Sequence, residues 1–151
     1  MTAISPPPVP GCPLCAEAGG TLIWHDADWR VVRVAEPDFP AFYRVISERH
    51  VVEISDLPRP AQQRCMDLVL TVEQVLRARL APTKINLAAL GNVVPHLHWH
   101  VIPRFADDPH FPNSVWSTRV RDSARALPAG FIRSLRQRLG ELLGPKYQAG
   151  M

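Results

Sequence analysis

The stretch that decides the reading is His96-Leu97-His98-Trp99-His100-Val101-Ile102-Pro103-Arg104. Histidine alternates with apolar residues from 96 to 101. In a β-strand, side chains at i, i+2 and i+4 share one face. The spacing therefore predicts a strand over 96–102, closed by Pro103. His96, His98 and His100 lie on one side, and Leu97, Trp99 and Val101 on the other. The apolar side calls for a covering helix, and the imidazole side faces outward. Alternate Cα atoms of a strand are about 6.6 Å apart, so neighbouring imidazoles can share a ligand and the outer pair cannot. Two chemistries suit three imidazoles in register. One is metal ligation of the His-x-His kind. The other is attack by imidazole on a phosphorus or acyl centre.

Outward from this strand, the chain reads as α+β. Thr21–Trp24 and Trp29–Val34 are short strands around the turn 25–28, and Phe42–Ile46 follows after a proline-broken stretch over 36–40. From Asp56 the period changes. Met66, Val69, Val72, Leu76 and Leu80 recur at three- and four-residue steps, which predicts an amphipathic helix over 58–80. Ser55 or Asp56 is the expected cap, and Pro82 the stop. Lys84–Ala89 is a strand and Gly91-Asn92 a turn. A turn-rich stretch spans 106–117. A last helix over 128–143 carries Phe131, Ile132, Leu135, Leu139, Leu142 and Leu143 on its apolar side, and Gly144-Pro145 ends it. The expected architecture is one domain over 1–151. It has a mainly antiparallel sheet of about five strands, one long central helix, a C-terminal helix and a proline-rich lead-in over 1–11.

Composition narrows the function classes. The chain has 151 residues, 46% hydrophobic and 21% charged, with a formal net charge of +3. No apolar run approaches the ~18 residues that span a membrane. The N-terminus shows no charged and apolar pair of regions of a secretory signal, so a cytoplasmic address is expected. The basic balance suits an anionic small molecule such as a nucleotide. No aromatic RNA-binding signature or basic arm is present, so nucleic acid is not an expected partner.

Three cysteines argue against a disulfide framework. Cys65 falls in the helical pattern and reads as buried. Cys12-Pro-Leu-Cys15 has the spacing of half a tetrahedral zinc site. Its missing ligands would be histidines, with His25, His50, His96 and His110 as candidates. His25 and His110 stand in polar, turn-rich segments and read as surface residues.

The alternating segment resembles the histidine triad motif. Pro103-Arg104 resembles the nucleotide hydrolase branch of that superfamily, and Val45–His50 looks like its strand that ends in a histidine. Asn86 and Gly91-Asn92 stand where such proteins place an Asn and then a Gly with an amide side chain. The likeness covers roughly residues 12–117. It implies nucleotidyl transfer or hydrolysis at an α-phosphate, on a dinucleoside polyphosphate or a nucleotide phosphoramidate, by a homodimer. His98 would be the nucleophile and His96 a further triad member. His100, Asn92, the Gly91 backbone and Asn86 would serve the phosphate. It also implies a structural zinc held by Cys12, Cys15, His50 and His96, and no organic cofactor. Three positions depart from the pattern. Val93 replaces a frequent Ser or Thr. Pro40-Ala41-Phe42 replaces a Pro-Gly-His. Arg44 stands where an apolar residue is usual; the site and solvent are both open to it, and solvent is the expectation. Two rival readings are a zinc hydrolase using the histidine face as ligands, and a nucleotide-binding regulator with weak catalysis.

Overall fold

A computed structural model of the chain describes residues 7–123 and 125–144. The first half of the proline-rich lead-in and the helix stop at Pro145 lie outside the described residues. Five strands form one antiparallel sheet in the order β1-β2-β3-β5-β4. They are β1 Thr21–His25, β2 Trp29–Arg33, β3 Tyr43–Ser47, β4 Lys84–Ala88 and β5 His98–Arg104. A one-turn helix α1 (Pro13–Ala16), the long α2 (Arg59–Leu80) and α3 (Phe131–Leu143) complete the fold.

The sheet has two unlike faces, set by residue parity. Trp29, Val31, Tyr43, Val45 and Val101 point to the back, into one core with Leu68, Val69, Val72 and Leu76 of α2 and Leu135 and Leu139 of α3. Full burial of each such side chain stabilises by roughly 1.5–3 kcal/mol. The buried stripe of α2 is Cys65, Leu68, Val69, Val72, Val75 and Leu76. It is rotated from the expected one, and Met66 and Leu80 only flank the core. On α3, Phe131, Leu135 and Leu139 are buried, Ile132 and Leu143 pack against the core in part, and Leu142 is exposed.

Element ends differ from expectation for local reasons. Ser55 and Asp56 do not cap α2. They form a 3-10 turn, Ile54–Asp56, closed by a reciprocal Glu53–Asp56 capping box, and Pro58 is the N-cap of α2. Helix α3 begins at Phe131 rather than 128, after Gly130 turns the chain with φ 72°. The largest difference is in β5. It runs from His98 to Arg104, so Pro103 lies inside the strand and His96 outside it. Pro103 is tolerated because β3 pairs only with His98–Val101. Beyond Val101 that side of β5 has no ladder, and a missing N–H costs nothing. At the other end, His96 N–H bonds Val94 O across Pro95 at 2.8 Å. This tight turn takes His96 off the strand.

The front face carries Arg30 and Val32 of β2, Arg44 and Ile46 of β3, His98, His100, Ile102 and Arg104 of β5, and Asn86 and Ala88 of β4, matched across the registers. The N-terminal segment folds over its β2–β3 part. Leu14 and Cys12 pack on Val32 and Ile46. Gly19, at φ +84°, lets the chain lie flat there: a Cβ would sit 2.7 Å from Leu14 Cδ2 and 3.0 Å from Ile46 Cδ1. Buried Arg30 fastens the segment. It donates to Leu14 O at 2.6 Å and Ala18 O at 2.9 Å, and pairs with Glu48 at 3.0 Å.

Candidate active site

The turn at Pro95 splits the three histidines into two sites. His96 rotates toward the N-terminal segment. Its Nε2–H donates to Ser47 O at 2.6 Å. A carbonyl only accepts, so the proton sits on Nε2 and Nδ1 keeps its lone pair. That Nδ1 lies 3.4 Å from Cys12 Sγ and 3.5 Å from Cys15 Sγ. His50 Nδ1 lies 3.3 Å from Cys15 Sγ, and the two rings meet edge to face at 4.9 Å. All four ligand atoms fall within 4.8 Å of one another. Zinc at about 2.3 Å from sulfur and about 2.0 Å from nitrogen sets tetrahedral S···N edges of about 3.5 Å. The donor set and its spacing fit that ion.

Cys12, Cys15, His50 and His96 are thus brought together as the family resemblance implied, and His98 and His100 are outside the cluster. The other two histidine candidates are elsewhere. His25 ends β1. His110 is buried rather than on the surface, 3.0 Å from Asp38 Oδ2 and 5.1 Å from the Phe39 ring. Its segment looks polar, but Asp108 folds the turn inward by accepting the N–H groups of His110 and Phe111.

His98 and His100 form the second site, with ring centroids 4.9 Å apart. Neither faces open solvent as expected, being 8% and 4% exposed. His98 Nδ1–H donates to His96 O at 2.6 Å. By the same logic its Nε2 carries the lone pair. His100 is held edge to face by Phe42 at 5.5 Å and by Trp116 at 5.1 Å, and its buried Nδ1 makes no hydrogen bond. Burial lowers both pKa values, although the His96 carbonyl pulls that of His98 the other way. His100 comes down to about 4, by burial first and then by the neighbouring His98 and Arg44. Both rings are therefore neutral at pH 7.

The remaining expected phosphate residues divide. Gly91, at φ +82°, lines a small cavity of about 50 Å³ with His96, His98 and Trp99. Asn92 and Val93 are exposed on the β4–β5 loop. Asn86 Oδ1 accepts from Arg104 at 2.8 Å. Arg104 is buried, paired with Asp108 at 2.7 Å and bonded to Asn113 O at 2.8 Å. It braces the 105–117 segment rather than reaching the cleft. One residue escaped the sequence reading, and another was singled out but given the wrong face. Trp116 stands in a turn-rich run with no periodic signal. Arg44 faces the site, not solvent: it stands opposite His100 and lines a cleft with His98. A charge inside the apolar run 43–47 was its visible sign.

The HIT domain profile matches residues 16–107. No curated protein matches the chain. A histidine triad protein from Bradyrhizobium japonicum is 27% identical, with a TM-score of 0.66, over 82% of this chain and 90% of that one. One from Marinobacter aquaeolei VT8 is 26% identical, with a TM-score of 0.65, over 86% and 92%. A zinc-bound histidine triad family protein from Mycobacterium smegmatis is 25% identical, with a TM-score of 0.61, over 87% and 95%. With the alternating histidines on the front of an antiparallel sheet and the profile covering most of that sheet, the chain belongs to the HIT domain family.

Proposed function

We propose that the chain is a nucleotide hydrolase or nucleotidyltransferase that works at an α-phosphate through a covalent nucleotidyl-histidine on His98. The observation that carries this reading is the 2.6 Å bond from His98 Nδ1 to the His96 carbonyl. It fixes the tautomer and leaves a lone pair on Nε2, which is what a nucleophile needs. Nε2 attacks phosphorus, and the bond from phosphorus to the leaving group breaks. The ring becomes cationic, and the Nδ1–H bond to the carbonyl strengthens as that charge develops. Water then cleaves the P–N bond and releases the nucleoside monophosphate. Displacement by another acceptor gives transfer instead. His100, beside the nucleophile, and the Gly91 backbone would bind phosphate oxygens.

Cys12, Cys15, His50 and His96 would hold zinc. With four protein ligands the ion is closed to substrate and structural, cross-linking the N-terminal segment to the start of β5. The zinc-hydrolase rival is disfavoured by this split, because His96 turns away from its two neighbours. The edge strand β4 supports a homodimer, since it pairs only with β5, and Leu87 and Leu90 beside it are exposed.

The test is a panel of adenosine and guanosine polyphosphates and phosphoramidates, read by nucleotide release. The reading expects monophosphate from at least one substrate and none after His98→Asn. Tight AMP binding with no release from any substrate would favour the regulator.

A further inference from the structure

Three arginines lie on the front face of the sheet, and two are saturated. Arg30 is spent on Leu14 O, Glu17 O, Ala18 O and Glu48. Arg104 is spent on Asp108, Asn86 and Asn113. Arg44 is different. Its one hydrogen bond is a long one, Nη1 to Gly19 O at 3.4 Å. Its Nε is buried with no partner. No carboxylate among the described residues pairs with it. Burial lowers its pKa, so the charge is held at a cost that one long bond to a carbonyl offsets only in part.

Its position is specific. In the β3–β5 ladder Arg44 is opposite His100, and Ile46 is opposite His98. The bond to Gly19 draws the guanidinium along the strand toward the His98 end, since Gly19 sits against Ile46 Cδ1. There it lines a cleft of about 270 Å³ with Leu14, Glu17, Gly19, Val94 and His98. Glu17 is exposed at the rim. A planar fork of donors short of acceptors, beside a nucleophilic imidazole, matches phosphate oxygens.

We infer that Arg44 binds the phosphate next to the one His98 attacks, so that the site selects nucleotides carrying at least two linked phosphates. This rests on the proposed reaction for the identity of the first phosphate. His100 lies beside the nucleophile and serves that first phosphate. The Arg44 guanidinium is displaced from His100 toward the N-terminal wall, one phosphate further along. A single-phosphate ester or amidate leaves the fork without its acceptor.

The experiment measures binding, so it does not depend on turnover. AMP and ADP are titrated by calorimetry into the zinc-loaded full chain and into Arg44→Gln and Arg44→Lys, with melting temperatures recorded. The wild-type chain is expected to bind ADP about 10- to 100-fold more tightly than AMP, the range of one charged hydrogen-bonded contact. Arg44→Gln collapses that preference to within about threefold while melting within a few degrees of wild type, since one long bond is lost. Arg44→Lys keeps the charge but not the fork, and retains part of the preference. If the wild-type chain binds ADP no better than AMP, weakly or strongly, the inference falls whatever the turnover. It falls too if the preference survives Arg44→Gln. If the preference behaves as expected but no nucleotide ever attaches to His98, the reaction proposal fails and the phosphate site stands.

Discussion

His96 and His98 are the same residue type, two positions apart, and the fold gives them opposite environments. Around His96 both ring nitrogens are committed: one to Ser47 O, the other to the two cysteine sulfurs. Around His98 one nitrogen is committed, and the ring lines a cleft shared with Arg44. A closed set of donors holds an ion and does no chemistry on a substrate. An open lone pair backed by a fixed proton does. The difference originates in the backbone, where the turn across Pro95 removes His96 from the strand and leaves its carbonyl pointing at the next imidazole. On the proposed reaction, one motif would supply a ligand and a nucleophile.

The strongest way to break this comparison is to exchange the roles. His98→Asn should lower turnover by at least about 10³-fold, because His100, the other neutral imidazole beside it, has no hydrogen bond that fixes a proton on one nitrogen and leaves the other free to attack. Zinc content by elemental analysis and AMP affinity should both persist. Residual activity within tenfold of wild type, or loss of zinc along with activity, would contradict the division of labour. Removing the closed end gives the next largest effect. Chelation, or Cys12→Ser, should lower stability by about 3–5 kcal/mol in chemical denaturation, less than the roughly 10–16 kcal/mol of zinc-dependent peptides because a sheet core remains. Turnover at low temperature should drop only in part. An apo chain that is fully folded and wholly inactive would make the metal catalytic.

A smaller effect sharpens the open end. Burial holds His100 at about 4, against about 6.5 for a free imidazole. Between those values the unfolded chain binds a proton that the folded chain excludes. Stability therefore falls as pH drops from about 6.5 toward 4, by on the order of 3 kcal/mol from this group. His100→Asn should flatten that limb relative to wild type, both zinc-loaded, in urea midpoints measured across the range. Parallel limbs would mean that His100 is solvated.

What was legible in the sequence is what short-range parity and helical period control. The alternation at 96–101 announced a two-faced sheet, and the stripe in 59–80 a helix behind it. The Cys12/Cys15 spacing, read with the family likeness, named all four members of the cluster that the fold assembles. What was not legible depends on contacts far apart in the chain. Strand registry turns Arg44 toward the cleft, and parity alone could not say which face of β3 was covered. Arg104 read as a mark of the hydrolase branch, yet its partners Asp108 and Asn113 come from a loop that looked merely turn-rich. The start of β5 was misplaced by two residues because a Pro–His pair gives no sign of a turn when the alternation continues through it.

The central claim is that His98 alone of the three bonds covalently to the nucleotide. The most direct test incubates the zinc-loaded chain with a substrate found by the panel, quenches it without acid, and maps the modified peptide by mass spectrometry. The account predicts one nucleotidyl group on His98, absent from His98→Asn and still formed by Cys12→Ser at low temperature. Nucleotide on His96 or His100, or turnover that leaves no adduct and stops on chelation, would contradict it.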